Sequence, residues 1–517
     1  MLFDLGQFLL EIPFVMIITF LFYKSFHENV KYKVLIASIP WMLFYFFIDL
    51  YHILFGRVFK WVEVTELPEL IDILPLYYLI FSGLIYTSVI FIFIRSVNFN
   101  KSYWAALGVI PVLVTMLWAN LLPSNFYTAF VAIPTKTFDH QDLRTVSSNG
   151  RWFSLLYFEA KRKNAITQLK FDETWLVNKE LSEKNIIGQV QKRNVHVIVM
   201  ESFLDPTLLG NVDLPDNIMP QSIKQLEPFK NLSRSPVFGN RTPQAEFEIL
   251  CNVPALQKLG NIEFNLFSGS GTSCLPSWLK NSGWHTVATH AYKPTFFNRA
   301  NAYRSLQFDD VFFAKDYVPA SNTYFETKLN NKARFMFDGD LFEQNLAFLK
   351  EYKKTQTKPI FNYILGVYGH WPNERDLEKY PDVFQLEGFE SMARVVNEYY
   401  YRTYALEKYL DELKAIDPDA IIVVISDHLP PMKNMRTVYK DLDYLPKYKN
   451  DLFLNVYYLF DKGEPVKMQE IVNHYDFASI IKNRLLNTQC EKSQCLHQRN
   501  KEELLQQYIN VMSWAIQ

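Results

Sequence analysis

Several short stretches of the chain place carboxylate, imidazole or hydroxyl groups where metal or phosphorus chemistry becomes feasible. Ser426-Asp427-His428 sets a carboxylate beside an imidazole directly after the apolar run Ala420-Ile-Ile-Val-Val-Ile425. Glu201 follows Val195-His-Val-Ile-Val-Met200, His290 follows Trp284-His-Thr-Val-Ala-Thr289, and His370 comes a few residues after Ile360-Phe-Asn-Tyr-Ile-Leu365. A lone Glu or His after a strand is commonly a cap or a satisfied surface group. An adjacent Asp-His joined by a second carboxylate is a stronger pattern, because mixed oxygen and nitrogen ligands suit a divalent ion such as Mn²⁺, Mg²⁺ or Zn²⁺.

A hydroxyl that would join such a site is found in Asn240-Arg241-Thr242-Pro243. Pro243 suits the first position of a helix over Gln244-Ala-Glu-Phe-Glu-Ile-Leu250, with Thr242 as its cap. The plain reading is an ordinary N-cap. A threonine oxygen at a helix N-terminus also faces partly positive amide ends, which stabilise an alkoxide and an incoming phosphate. The elements that must position these groups are legible too. Continuous β-branched and aromatic runs predict strands buried on both faces, hence an α/β domain over 195–517 with a mainly parallel sheet covered by helices. Ligands in such sheets bind beyond the carboxyl ends of the strands, where the polar endings converge.

Before residue 123 the chain has a different character. Leu5 to Tyr23, Val34 to Phe55, Ile73 to Ile94 and Tyr103 to Leu122 are nearly uncharged and near the ~20 residues that cross a bilayer, predicting a four-helix transmembrane block over 1–122. The first ten residues carry Asp4 and no Lys or Arg, so the first stretch reads as a retained helix rather than a signal peptide. Lys24, Lys31 and Lys33 in the first loop, with Arg95 and Lys101 in the third, exceed Arg57 and Lys60 in the second. Basic loops face the cytoplasm, which predicts both chain ends and the large domain on the outer side of a plasma membrane. Asp49 and His52 lie in apolar surroundings, fitting either a head-group contact or a polar pair between helices. Residues 123–194 read as an interfacial linker whose Arg151 to Lys163 pattern suits a helix lying on the bilayer. Lys plus Arg at 53 against Asp plus Glu at 54 leaves a net charge of −1, which excludes nucleic acid as a main partner.

Outside the membrane, an even set of cysteines suggests disulfides. Cys490 with Cys495 would close a small loop and leave Cys251 with Cys274; spacing alone allows three connectivities. The absence of Cys-x-x-Cys argues against a thiolate zinc site.

Met200-Glu-Ser-Phe203, Thr242 with Ala245-Glu-Phe-Glu-Ile-Leu250, Leu275-Pro-Ser-Trp278, His290-Ala-Tyr292 with Phe296-Phe-Asn-Arg299, and Ser426-Asp-His428 stand in the order found in one family. Over roughly residues 195 to 485 the chain resembles the lipoteichoic acid synthase and phosphoglycerol transferase family, of the alkaline phosphatase superfamily. The resemblance implies a sulfatase-like fold and metal binding by Glu201, Thr242, Asp427 and His428, usually of manganese, with Thr242 as nucleophile. It further implies that His290, Arg299 and His370 hold a glycerol phosphate group or assist proton transfer, with Phe297 where lipoteichoic acid synthases carry Trp. Those enzymes have five membrane helices, and these departures bear on the acceptor rather than the chemistry. The implied activity is transfer of glycerol phosphate from phosphatidylglycerol to an envelope glycan or polymer through a phosphothreonine, at a bacterial inner membrane with the catalytic domain outside. Phosphoethanolamine transfer, a phosphodiesterase and a non-catalytic membrane sensor are the alternatives; four intact site residues argue against the last. The modified Cys or Ser followed by Pro and Arg of true sulfatases is missing around Thr242.

Non-reducing peptide mapping is expected to find Cys490 linked to Cys495 and Cys251 to Cys274; four free thiols in freshly isolated protein would refute the oxidising location.

Overall fold

The computed structural model describes residues 7–55, 58–66, 76–133, 137, 142–167, 190–260, 262–316, 335–432, 436–486 and 499–516. Cys490 and Cys495 lie outside them. The chain divides into two units, Met1–Leu169 with Gln257–Asn261, and Lys170–Leu256 with Ile262–Gln517.

In the first unit, three helices among the described residues are long and apolar enough to cross a membrane: Lys33–Ile53, Leu79–Ser96 and Phe99–Leu121. They correspond to α2 (Lys33–Phe55), α3 (Leu76–Ser96) and α4 (Ser102–Leu121). The expected fourth span is not among them. Helix α1 (Ile12–Ser25) has 14 residues, about 21 Å at 1.5 Å per residue against a hydrocarbon core of about 30 Å. The reason lies in Glu11, which ends a π-helical turn (Gln7–Glu11) ahead of α1 and is 4% exposed. Its Oε1 accepts the backbone N–H groups of Arg151 and Trp152, each at 3.0 Å, and the Tyr45 hydroxyl at 2.7 Å. The carboxylate thus caps α6 (Arg151–Thr167), after α5 (Pro123–Ala132). Three such helices among the described residues do not give the even number of crossings that placed both chain ends on one side.

Helix α6 turns the aromatic face expected at the bilayer surface into this bundle. Trp152, Leu156, Tyr157 and Ala160 are buried with Ile18, Phe22, Trp41, Ala119, Phe126 and Phe130. Asp49 meets the Arg151 guanidinium side-on, at 2.9 Å to Nε and 2.7 Å to Nη2, a paired fork that satisfies an acid within apolar surroundings.

The second unit is built on a nine-stranded sheet among the described residues, in the order β4-β3-β5-β1-β6-β7-β2-β9, with β8 (Glu464–Pro465) against β7. The strands are β1 (Val195–Met200), β2 (Asn231–Arg234), β3 (His285–His290), β4 (Asp310–Phe313), β5 (Ile360–Leu365), β6 (Ile421–Ser426), β7 (Leu454–Asp461) and β9 (Val472–Asn473). β4, β3, β5, β1 and β6 run parallel, and β7 is antiparallel to both β6 and β2. The expected mainly parallel sheet is therefore present, mixed at one side. Ile198, Ile364, Ile422 and Val424 pack with Leu341, Phe342 and Leu346 of α9 (Asp338–Thr355) and with Val396, Leu406 and Leu410 of α10 (Glu390–Ile416). Side chains alternate along a strand, so Tyr363, next to Ile364, points to the other face, where its hydroxyl reaches Glu246 of α7 (Thr242–Cys251) at 3.1 Å. Helices therefore cover both faces. Cys251, closing α7, is bonded to Cys274, at the foot of the helix Leu275–Asn281.

The register aligns the carboxyl ends. Met200 is level with Ser426, and Val199 and His290 are both level with Leu365. The loop after β5 passes close beneath this edge. At Gly369 a Cβ would collide with the carbonyl oxygen of Glu201 and the Arg402 guanidinium, so the position accepts only glycine. Below it, Arg402 gives Nε to Asp338 Oδ2 at 2.7 Å, and Asn373 gives Nδ2 to Glu398 Oε2 at 2.9 Å and to the Gly369 carbonyl at 3.0 Å. Burial pushes the Glu398 carboxyl up to about 8, against the pull of Asn373, Arg402 and Arg375.

The folded chain thus keeps a proton that an unfolded Glu loses above about 4.3, so stability falls as pH rises from there to about 8 and levels off beyond it. Glu398→Gln is expected to flatten that decline in a thermal-unfolding series across this range; parallel curves for variant and wild type would refute the assignment.

Candidate functional site

Glu201 leaves the end of β1 and Asp427-His428 the end of the neighbouring β6, so the register alone sets their side chains together. Glu201, Asp427 and His428 bring a carboxylate oxygen each and a ring nitrogen within 4.8 Å of one another, all buried. His428 Nε2 stands 3.2 Å from Asp427 Oδ2 and 3.7 Å from Glu201 Oε1. The ring's Nδ1 donates to the Leu429 carbonyl at 2.9 Å, which fixes the tautomer and turns the Nε2 lone pair inward. Asp427 Oδ1 accepts the backbone N–H of Ser202 and of His428, both at 2.7 Å. Ser202 holds this geometry at φ 48°, a conformation uncommon outside glycine.

Thr242 completes the group, though not as the expected cap. The cap position of α7 is Arg241, at φ 66°, and no side chain caps the helix. Left-handed Gly239, Asn240 and Arg241 swing the chain sharply into α7, and the Thr242 hydroxyl donates to Glu201 Oε2 at 2.8 Å. Glu201 Oε1 accepts from Ser202 Oγ at 2.9 Å.

Two carboxyls this close and this deep titrate apart. Burial, then the charge of Glu201, pushes Asp427 well above the usual carboxylate range. Burial raises Glu201 as well, but the His428 and His370 rings and the Thr242 and Ser202 hydroxyls outweigh it and hold Glu201 low. Burial keeps His428 below its ordinary value despite Glu201. Asp427 Oδ2 and His428 Nε2 are buried without a hydrogen-bond partner, and buried polar atoms without partners mark a missing ligand. The donor set, two carboxylates, a neutral imidazole and a hydroxyl, fits a divalent cation.

The other expected residues fall in two places. His370, after β5, is partly exposed; its Nδ1 donates to the Trp371 carbonyl at 2.8 Å, leaving Nε2 for the cleft. His290, the last residue of β3, is buried, and burial followed by the Arg299 charge lowers its pKa well below the ordinary value, so the ring is neutral. Phe296 links the two rings, at 6.5 Å from His290 and 6.2 Å from His370, and Phe297 stands 4.5 Å from Phe296. Arg299, which opens α8 (Arg299–Ser305), is only 1% exposed. Its Nε and Nη2 both donate to Glu246 Oε2, at 2.9 and 2.7 Å, and its Nη1 to the Phe296 carbonyl. The Tyr303 and Tyr363 hydroxyls donate to the other Glu246 oxygen. Arg299 is thus neutralised by Glu246, a residue that sequence reasoning noted only within a motif.

His474 was not expected. It follows β9, which is parallel to β2 and so runs in the direction of β6. The ring is fully buried, neither nitrogen has a hydrogen-bond partner, and burial, followed by repulsion between its protonated form and that of His428, brings its pKa down to about 3. A two-residue strand leaves no apolar run in the sequence to announce it.

Residues 193–482, more than half of the chain, match the sulfatase family. The chain belongs to that family, within the alkaline phosphatase superfamily. Over 262 residues, 49% of the chain and 38% of the relative, it is 28% identical to a protein of Rhizobium meliloti (strain 1021) named for cyclic β-1,2-glucan modification. Over 292 residues, 52% of the chain and 41% of the relative, it is 24% identical to a lipoteichoic acid synthase of Staphylococcus saprophyticus. The chain therefore spans about two fifths of the length of these curated relatives. The crystal structure of a lipoteichoic acid synthase from Listeria monocytogenes aligns at a TM-score of 0.48 and 16% identity, over 64% of this chain and 78% of that one. A Streptococcus pyogenes phosphoglycerol transferase in complex with sn-glycerol-1-phosphate aligns at 0.47 and 16%, over 68% and 92%.

Returning a divalent cation to chelator-treated protein is expected to raise Tm by about 4 °C at a hundredfold excess over Kd. Asp427→Asn should abolish the shift in the same scanning-fluorimetry experiment; an equal shift in the variant would put the cation elsewhere.

Proposed function

We propose that the chain is a membrane-anchored phosphotransferase that takes glycerol phosphate from phosphatidylglycerol and passes it to an envelope glycan or polymer. The observation that carries this reading is the Thr242 hydroxyl, which leaves its own helix end uncapped and instead donates to Glu201 inside a buried Glu-Asp-His cluster. A divalent cation held by Glu201, Thr242, Asp427 and His428, manganese in the resembling family, would supply Lewis-acid polarisation and lower the pKa of the hydroxyl.

The chain's own groups account for the remaining steps. The Thr242 proton passes along its hydrogen bond to Glu201 as the oxygen attacks phosphorus. An O–P bond forms to Thr242 and the bond to the diacylglycerol oxygen breaks, that oxygen leaving with a proton for which His370 is the candidate donor. The acceptor hydroxyl then gives its proton to His370 Nε2 and forms the new O–P bond as the bond to Thr242 breaks, the Thr242 oxygen taking back the proton held by Glu201. At the start of α7 the Thr242 N–H is the group left for a phosphoryl oxygen, since Pro243 has no N–H and that of Gln244 donates to the Arg241 carbonyl at 2.9 Å. His290 and Phe296 to Arg299 shape the pocket for the glycerol moiety, with Arg299 acting alongside Glu246 rather than as a free charge.

Two further features support the setting. The apolar helices of the first unit bring the enzyme to a lipid donor, and the Cys251–Cys274 bond suits an extracytoplasmic domain. The names of the relatives, one a synthase of lipoteichoic acid and the other a modifier of a cyclic glucan, point to an envelope acceptor.

Thr242→Ala is expected to fold, bind the cation more weakly and lose nearly all release of diacylglycerol from labelled phosphatidylglycerol. Wild type given donor alone should carry glycerol phosphate on the peptide containing Thr242. An ordinary helix cap would cost only about 1 kcal/mol of stability on replacement by Ala, so turnover at the wild-type rate, or a reproducible adduct on another residue, would overturn the assignment.

A further inference from the structure

Residues 371–389 form a surface loop between His370 and α10 whose construction exceeds what a connection needs. Three buried polar side chains hold it. Asn373, 3% exposed, ties it to the Gly369 carbonyl and Glu398. Arg375, 6% exposed, donates to the Tyr380 and Arg394 carbonyls and pairs with Asp382. Asn397 of α10, 1% exposed, accepts from the N–H groups of Val383 and Phe384 and donates to the Phe384 carbonyl. A backbone fixed this firmly presents its outward side chains in set positions.

What it presents is an aromatic surface beside the cleft. Trp371, bonded directly to His370, has 50% of its surface exposed, and Leu377 on the same loop has 60%. Among the described residues of the second unit, large apolar side chains this open are few, and an exposed apolar patch rimmed by polar groups marks a binding surface. The loop's charge narrows the occupant. Glu374, Glu378 and Glu387 are exposed against Lys379, while Asp376 is buried and Asp382 pairs with Arg375. An acidic rim repels an anionic phospholipid surface. It suits a neutral polyhydroxylated ligand, whose hydroxyls donate to carboxylates while its C–H face lies on an indole.

We propose that Trp371 is the platform of an acceptor subsite for a neutral oligosaccharide, which seats a sugar hydroxyl next to His370. This rests on the transfer reading above and supplies its second substrate: a glycan, rather than the charged end of a phosphorylated polymer.

The full-length chain in nanodiscs, titrated calorimetrically with neutral cyclic β-1,2-glucan, tests it. Trp371→Ala is expected to weaken glucan binding about tenfold, and Trp371→Tyr to restore most of it, because a tyrosine ring offers the same apolar face. In turnover, the KM for glucan should rise in the alanine variant more than kcat falls. Absence of glucan binding by wild type, or equal affinity in the alanine variant, would overturn the proposal. So would a raised KM for phosphatidylglycerol with an unchanged KM for glucan, which would make the loop a lipid contact. Failure of wild type to release diacylglycerol would overturn the transfer reading instead and leave the calorimetric comparison standing.

Discussion

Glu201 and Asp427 are two acids at the ends of neighbouring strands, both out of water, with an imidazole and two hydroxyls as their company. Two anions cannot share such a space unaided. In the bare protein the conflict is met by a proton on one of them, and the neutral His428 ring leaves a lone pair pointing at the gap. Much of the surrounding architecture serves to keep this unstable grouping in place. The Met200 and Ser426 pairing sets its spacing, the strained Ser202 supplies an N–H to Asp427, and the closely fitted Gly369 lets the next loop pass underneath.

The same sheet edge explains why function spreads unevenly over the strands. β1, β3, β5 and β6 are parallel and adjacent, so their carboxyl ends deliver Glu201, His290, His370 and Asp427-His428 from one side. Thr242 comes from elsewhere, on a helix across the sheet face, and must be brought in by a turn of left-handed residues. The proposed nucleophile and the candidate metal ligands thus have separate supports, which allows the hydroxyl to be placed without disturbing the sheet.

Much of this was legible in the sequence because buried strands are written as unbroken apolar runs. The runs at 195–200 and 360–365 coincide with β1 and β5, and the other two are displaced by one residue. Polar residues that end such runs can be read as sheet-edge groups, hence the correct grouping of Glu201 with Asp427 and His428. Hydropathy was a poorer guide in the membrane block, where it counted the stretch holding Glu11 as a span; the partners of Glu11 lie some 140 residues away, beyond any window of local pattern. Distance in sequence also concealed the pairing of Glu246 with Arg299 and the approach of His474 to His428. Thr242 was legible as a hydroxyl that could join the site, but not its partner Glu201, 41 residues upstream, which it meets in place of capping its helix.

Helix α7 carries Thr242 in its first turn and Glu246 four residues on, so one stretch of helix bears both the hydroxyl bonded to Glu201 and the acid that neutralises Arg299. Each residue added between them would rotate Glu246 by about 100° around the helix axis and advance it by about 1.5 Å. The guanidinium would then lie buried beside nothing, while the hydroxyl stayed where it was. This segment is therefore closed to insertions and deletions, and the four-residue spacing is a length standard that any sequence drifting from this one must preserve even where it exchanges every neighbouring side chain.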